Sequence, residues 1–195
     1  GNDSLAQRLV TGWFMAVTPR TAGFSAVDLT TLSPLTIFMI VILMIIGTAP
    51  GSTGGGVKVS TFAVIWLAVV ALVQKRPDVE AFGRRIGGDT VRLAMSLFTI
   101  YITLVLVTIA LVVFVEMHVA GRFGGPGSSL LFNQLAFEVV SAYGTVGLST
   151  VGTPELSSFS RIVLMLAMFM GRMGPLTFVF IFAQPKRSML RRLPT

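Results

Sequence analysis

Four apolar runs divide the chain, and they differ in length and continuity. Residues 35–46 form a short run that ends at Gly47-Thr48-Ala49-Pro50-Gly51-Ser52-Thr53-Gly54-Gly55-Gly56. Residues 57–73 form the second, interrupted by Lys58. Residues 93–115 form the cleanest run; as a helix at about 1.5 Å per residue it covers a hydrocarbon core of about 30 Å. The fourth, 162–183, carries Gly171-Arg172-Met173-Gly174-Pro175 in its middle, where a break is expected. Glycine and proline end helices rather than continue them. Residues 35–73 therefore predict either a helical hairpin or one crossing broken inside the membrane. Such breaks are tolerated in lipid only where the loose backbone is buried in protein or lines a water-filled path.

The charges fall between and after the apolar runs. Residues 74–92 carry Lys75, Arg76, Arg84, Arg85 and Arg92, and the tail carries Lys186, Arg187, Arg191 and Arg192. The stretch 116–134 carries only Arg122. The positive-inside rule puts the first two regions in the cytoplasm and the third outside. Helix 93–115 then crosses outward and helix 162–183 returns. A hairpin over 35–73 puts the first 33 residues inside, and a single broken crossing puts them outside.

An internal repeat chooses between the two. Thr21-Ala22-Gly23-Phe24-Ser25 resembles Thr145-Val146-Gly147-Leu148-Ser149 at an offset of 124 positions (145 minus 21). The same offset carries Gly47 onto Gly171 and residues 5–17 onto 129–141. Each unit reads as a short apolar segment, a Thr-x-Gly-x-Ser turn, a polar stretch and a helix with a central break. Symmetry places both short segments on one side of the membrane. The second lies outside by charge, so the first does too, and 35–73 is one broken crossing. A segment of about 13 residues is too short to span. It enters and leaves on the same face, followed by an extended turn and an inner helix, which is the plan of a cation-channel pore loop. Backbone carbonyls of such a turn replace the water shell of an alkali cation. Glycine permits the backbone angles that aim them at one axis.

Composition agrees. The 195 residues are 53% hydrophobic and only 12% charged, and a soluble fold of this length cannot hide that excess. The formal net charge of +7 marks a cytoplasmic membrane face rather than a nucleic-acid partner. With no cysteine there is no disulfide framework or thiolate site, and the lone His118 makes no metal site. Gly51-Ser52-Thr53-Gly54-Gly55-Gly56-Val57-Lys58 almost spells a phosphate-binding loop, but Val57 intervenes before the lysine and no buried strand precedes it. Glu138, on the second short segment, either attracts cations or hydrogen-bonds a neighbouring helix; Asp28 reads as a cap on the turn that follows it. No serine or aspartate has a basic partner within the spans and no His-Glu-x-x-His occurs, so the chain does not read as an enzyme. An ion-coupled secondary transporter with broken helices at its midplane is the alternative to a pore.

These residues resemble the Trk/Ktr/HKT potassium-transporter superfamily. Thr18-Pro19-Arg20-Thr21-Ala22-Gly23-Phe24-Ser25 is similar to the pore loop of that family's third repeat, and Ser141-Ala142-Tyr143-Gly144-Thr145-Val146-Gly147-Leu148-Ser149 to that of the fourth. Ala49-Pro50-Gly51-Ser52-Thr53-Gly54-Gly55-Gly56-Val57-Lys58 resembles the gating loop of the third inner helix, and Gly171-Arg172-Met173-Gly174-Pro175-Leu176-Thr177 the fourth inner helix. The resemblance implies an all-α membrane protein built of channel-like repeats, each an outer helix, a re-entrant pore helix with its filter turn, and a broken inner helix. Residues 1–74 would be the third repeat without its outer helix, 75–91 a basic cytoplasmic linker, 92–184 a complete fourth repeat and 185–195 a basic cytoplasmic tail. The filter would comprise Thr21, Ala22, Gly23 and Phe24 with Thr145, Val146, Gly147 and Leu148, holding potassium as the only metal. Thr48 through Gly56 together with Lys58 would form the gating loop, and Arg172 would face it. The resemblance further implies a plasma-membrane location with the filter outside, two more repeats upstream of this chain, a homodimer, and a cytoplasmic ring that alone binds nucleotide. No covalent cofactor is expected.

Overall fold

The computed structural model describes residues 4–52, 54–76, 78–118 and 128–182. Among them are six α-helices: α1 (Leu5–Val17), α2 (Pro34–Ile45), α3 (Val59–Val73), α4 (Gly88–His118), α5 (Ser128–Gly144) and α6 (Ser158–Phe182). Local chemistry sets their starts. Ser4 and Gln7 form a reciprocal capping box on α1, and Pro19, without an N–H to donate, follows its end. Ser33 caps α2 and Pro34 fills its first turn, where a missing N–H costs nothing. Asp28 accepts from Thr30 N at 3.0 Å and Thr30 Oγ1 at 2.8 Å and so caps the single 3-10 turn Leu29–Thr31. Those two bonds, the backbone one first, hold its carboxyl below the usual carboxylate range.

Length separates the helices. With 31 residues, α4 is among the described residues the one helix long and apolar enough to cross a membrane. The 12 residues of α2 and 15 of α3 make helices of about 18 and 22 Å, each short of a span of about 30 Å. Between them the backbone opens at Ile46 and returns beside itself. Gly47 N donates to Val57 O at 2.8 Å, Val59 N donates to Thr48 O at 3.1 Å, and Ile46 pairs with Val57 in a parallel bridge. A parallel bridge means that the chain leaves the loop heading the way it entered; a hairpin would pair antiparallel. Accordingly α2 packs on α5, whereas α3 packs on α4.

Two expectations need correction. The inner helix of the second unit is not broken: α6 runs from Ser158 through Phe182 without interruption across positions 171–175. Glycine inside a helix costs only about 1 kcal/mol relative to alanine, which packing can offset. Here Gly171 serves contact: a Cβ on it would stand 2.1 Å from the Tyr143 carbonyl oxygen, so α5 and α6 touch backbone to backbone. The chain is also not entirely helical. Within 75–91 lies a two-stranded hairpin, β1 (Val79–Ala81) and β2 (Arg84–Ile86). Phe82 and Gly83, both at positive φ, form its two-residue turn. Glu80 faces Arg85 across the register, and Asp78 pairs with Arg85 at 2.6 Å.

The core gathers around α5. Leu135, Phe137, Val139, Val140, Ala142 and Tyr143 are buried against Tyr101, Val105 and Val112 of α4, Leu164 and Ala167 of α6, and Ile40 and Met44 of α2. Tyr143 meets Tyr101 edge-on at 5.9 Å and shares a 3.0 Å hydrogen bond between its hydroxyl and that of Thr108. Glu116 anchors the other end, accepting Ser157 N at 3.0 Å just before α6 begins. By contrast α1 is largely uncovered, with Leu5, Leu9 and Trp13 all more than 60% exposed.

Candidate functional site

The repeated pentapeptides adopt the same unusual backbone. Thr21 and Gly23 have φ of 74° and 75°; Thr145 and Gly147, the matching positions, have 52° and 89°. Among the described residues only four non-glycines have positive φ, and these two threonines are the β-branched ones among them. A left-handed L-residue costs about 1–2 kcal/mol, and a branched Cβ makes it rarer still. Paying that twice at matching positions points to a geometric requirement. In an extended strand successive carbonyls point to opposite sides, and left-handed residues at alternate positions turn them toward one side.

Both turns leave the C-terminal end of a short helix, where the dipole presents partial negative charge. The first follows α1, with Ala22 N donating to Thr18 O at 3.1 Å. The second follows α5, with Thr145 N donating to Ala142 O and Val146 N to Ser141 O, each at 3.0 Å. The turns meet face to face: a Cβ added to Gly23 would lie 2.5 Å from the Val146 carbonyl oxygen. Gly23 is thus required both for its φ and for space. Gly147 is required for φ alone, since its added Cβ would sit 3.8 Å from Gly23 Cα, an ordinary contact.

The glycine-rich loop lies against both turns. Gly55 N donates to Thr145 Oγ1 at 2.9 Å, and a Cβ on Gly55 would lie 3.0 Å from Gly171 O. A Cβ on Gly54 would reach Thr21 Cγ2 at 3.0 Å. Lys58 ties the loop from within: its Nζ donates to Gly54 O at 2.6 Å, Ser52 O at 3.0 Å and Thr48 Oγ1 at 3.5 Å. Ser52 Oγ adds bonds to Ala49 O at 2.8 Å and to Thr48 Oγ1. Pro50 and Gly51 form the exposed tip, Gly56 turns the chain back at φ 76°, and Thr53 lies outside the described residues.

The structure therefore brings together Thr21, Gly23, Thr145, Val146 and the loop residues Gly54 and Gly55. Arg172 is not brought in: its side chain is exposed and makes no hydrogen bond or ion pair among the described residues. The Gly171 carbonyl occupies the place beside the loop instead. The tail 185–195 and Arg122 lie outside the described residues. Two supports of the second turn escape sequence reading. Ser141 Oγ donates to Leu148 O at 2.6 Å, and Glu138 Oε1 accepts from Ser149 Oγ at 2.6 Å, Thr150 N at 2.8 Å and Val151 N at 3.2 Å. Glu138 does hydrogen-bond, but to the turn that follows its own helix rather than to a neighbouring helix. A carboxylate in an apolar helix was the available signal; its partners, 11 to 13 positions later, were not legible. His118 ends α4, stacked on Phe114 at 4.3 Å, and no group of three or more His, Cys, Asp or Glu that could hold a metal occurs among the described residues.

Comparison with known proteins gives the family. Residues 2–191 match the TrkH family, described as cation transport protein. The chain is 35% identical over 98% of its length to the Ktr system potassium uptake protein B of Bacillus subtilis, of which it covers 40%. It is 36% identical over 91% of its length to the potassium/sodium uptake protein NtpJ of Enterococcus hirae, covering 38% of it. A Ktr system potassium uptake protein B from Vibrio alginolyticus is 32% identical, with 98% of this chain and 39% of the relative covered. The chain thus spans about two fifths of the length of these relatives. A match across nearly all of its residues, on the segments that build the paired turns, the loop and α6, means that the chain belongs to the TrkH family of cation transport proteins.

Proposed function

We propose that this chain forms two neighbouring quarters of a potassium pore, with the turns Thr21–Phe24 and Thr145–Leu148 as filter segments (residues 21–24 and 145–148) and the loop 48–58 as a gate beneath them. The paired left-handed Thr-x-Gly turns, facing each other at the ends of α1 and α5, carry this reading. A potassium ion entering the filter loses water oxygens, and backbone carbonyls of the turns take their place. The carbonyls are held in advance, so little reorganisation accompanies entry. The potassium uptake named for the Bacillus and Vibrio relatives supports potassium as the ion. The sodium in the name of the Enterococcus relative makes the ratio between the two ions the quantity to measure.

The loop suits a gate because it is polar, glycine-rich and seated on the threonines of both turns, and because Lys58 gives it a bonded, compact state that can be lost. Its in-line exit into α3 supports one crossing broken at the loop. In this reading 1–74 and 92–184 are the third and fourth repeats, 75–91 and 185–195 are cytoplasmic, and the filter faces outside in the plasma membrane. Two further repeats would complete the ring, consistent with relatives about two and a half times as long. A homodimer and a cytoplasmic nucleotide-binding ring are the proposed partners, and lipid the surrounding solvent.

The test uses the full-length protein in proteoliposomes. Rubidium should enter and lithium should be excluded, and Gly147→Ser should lower the potassium-to-sodium ratio. A coupled secondary transporter would instead lose uptake when the driving-ion gradient is collapsed. An unchanged ion ratio in Gly147→Ser removes the second turn from the filter.

A further inference from the structure

The two turns share a backbone shape but not a support. Glu138 is 5% exposed, and one of its oxygens gathers Ser149 Oγ, Thr150 N and Val151 N. Ser141, one helical turn on, holds the Leu148 carbonyl at 2.6 Å. The four residues 148–151 are therefore pinned by side chains of the helix that precedes them. At the offset of 124, Glu138 corresponds to Phe14 and Ser141 to Val17 (138 and 141 minus 124), whose side chains can neither accept nor donate. The first turn has Ser25 in place, but its hydroxyl bonds locally to Val27 O and reaches α1 only through the weakly accepting Met15 sulfur at 4.0 Å.

A buried carboxylate is costly unless its lone pairs are filled, and hydrogen bonds to an ionised acceptor are the strong ones. Once formed, such a cluster resists any shift of the segment it holds. The Leu148 carbonyl points back to Ser141 on α5 and so anchors the end of the filter segment 145–148 of the reading above, whose position follows that of Ser141 and, through residues 149–151, that of Glu138.

We propose that Glu138 and Ser141 are positioning residues that make the second turn the stiff, ion-discriminating one, acting through backbone geometry and not through long-range attraction of cations. This rests on residues 145–148 being part of the filter. A brace and an attractor differ in what they need: an attractor needs the negative charge, and a brace needs an accepting oxygen at that point. Gln keeps the oxygen without the charge, and Ala keeps neither.

The experiment measures potassium and sodium uptake by the full-length protein in proteoliposomes for wild type, Glu138→Ala, Glu138→Gln, Ser149→Ala and Gly147→Ser. The ion ratio does not depend on how many molecules fold, so a purely structural loss lowers the maximal rate and leaves the ratio alone. We expect the ratio to fall about tenfold in Glu138→Ala and about two- to threefold in Glu138→Gln and Ser149→Ala, in step with the hydrogen bonds lost. Equal losses in Gln and Ala would show that charge matters and overturn the brace. A wild-type ratio in Glu138→Ala with a lowered ratio in Gly147→Ser would overturn the brace and leave the filter standing. Wild-type ratios in both would overturn the filter reading, and the brace with it.

Discussion

The two Thr-x-Gly turns are one local design in two settings. In the second turn Val146 and Leu148 are each 3% exposed, folded into the core among α2, α4, α5 and α6. In the first, the matching Ala22 and Phe24 are exposed, Phe24 at 72%. The difference lies in the neighbourhood rather than in the pentapeptide. Helix α5 is wrapped by a long helix on one side and α6 on another, whereas α1 has few neighbours among the described residues. The left-handed angles persist in both, so they belong to the local sequence. The bracing and burial are added only where the surrounding helices exist.

The largest effect expected from that difference concerns the chain by itself. Residues 1–195 alone should give no growth of a potassium-uptake-deficient bacterium on low potassium, because in the proposed pore these two turns supply only half of the ion's oxygen shell and α1 is left uncovered. Rescue, with the protein shown intact in the membrane, would mean that the first turn finds its support in another copy.

Next comes the loop, which is hydrogen-bonded to the second turn through Thr145 and only touches the first. Deleting 49–55 from the full-length protein should raise ion flux by about tenfold or more, as the proposed plug leaves the path. Lys58→Gln should move flux the same way but less, since it loosens the loop without removing it. Flux at wild-type level in both would separate the loop from gating.

Alanine at the two glycines sharpens the comparison further. Gly147→Ala should cost about 1–2 kcal/mol, the strain of a left-handed alanine. Gly23→Ala should cost about 2–5 kcal/mol, because its Cβ also strikes the Val146 carbonyl. Thermal unfolding of the purified full-length protein measures both, and the reverse order would contradict the face-to-face contact. Smaller again, Ser141→Ala should destabilise by about 1–3 kcal/mol by orphaning the Leu148 carbonyl, and Ser25→Ala by no more than about 0.5 kcal/mol. Arg172→Ala, exposed and without a described partner, should change flux by less than about twofold, an effect of order 0.4 kcal/mol. A rise to match the loop deletion would show that the guanidinium reaches the loop in the working protein.

Much of this was readable along the chain. The apolar runs predicted α2, α3, α4 and α6 within a few residues at most ends, because a lipid-facing helix must be apolar over its whole length. The repeat predicted α1, α5 and the shared turns, because a Thr-x-Gly backbone is locally encoded. The reading failed at Gly171-Pro175, where composition said break and the helix continued. It failed again at the linker, where a hairpin formed around Phe82-Gly83. In both cases local propensity is outweighed by other terms: backbone contact with Tyr143 at the first, cross-strand pairing and the Asp78–Arg85 ion pair at the second.

By itself, then, the amino-acid sequence determined the membrane-protein class, the family, the duplicated turn and the residues of the loop. These rest on hydrophobicity, charge placement and glycine positions, all of which act over a few residues. Only the tertiary structure decided which groups meet. Gly55 on Thr145 is a contact across 90 positions, and Lys58 folding back over its own loop, Glu138 reaching residues 149–151 and Arg172 turning outward are choices among several acceptors within reach. Hydrogen-bond partners in a low-dielectric interior are selected by geometry to within a few tenths of an ångström, and packing of the whole fold sets that geometry.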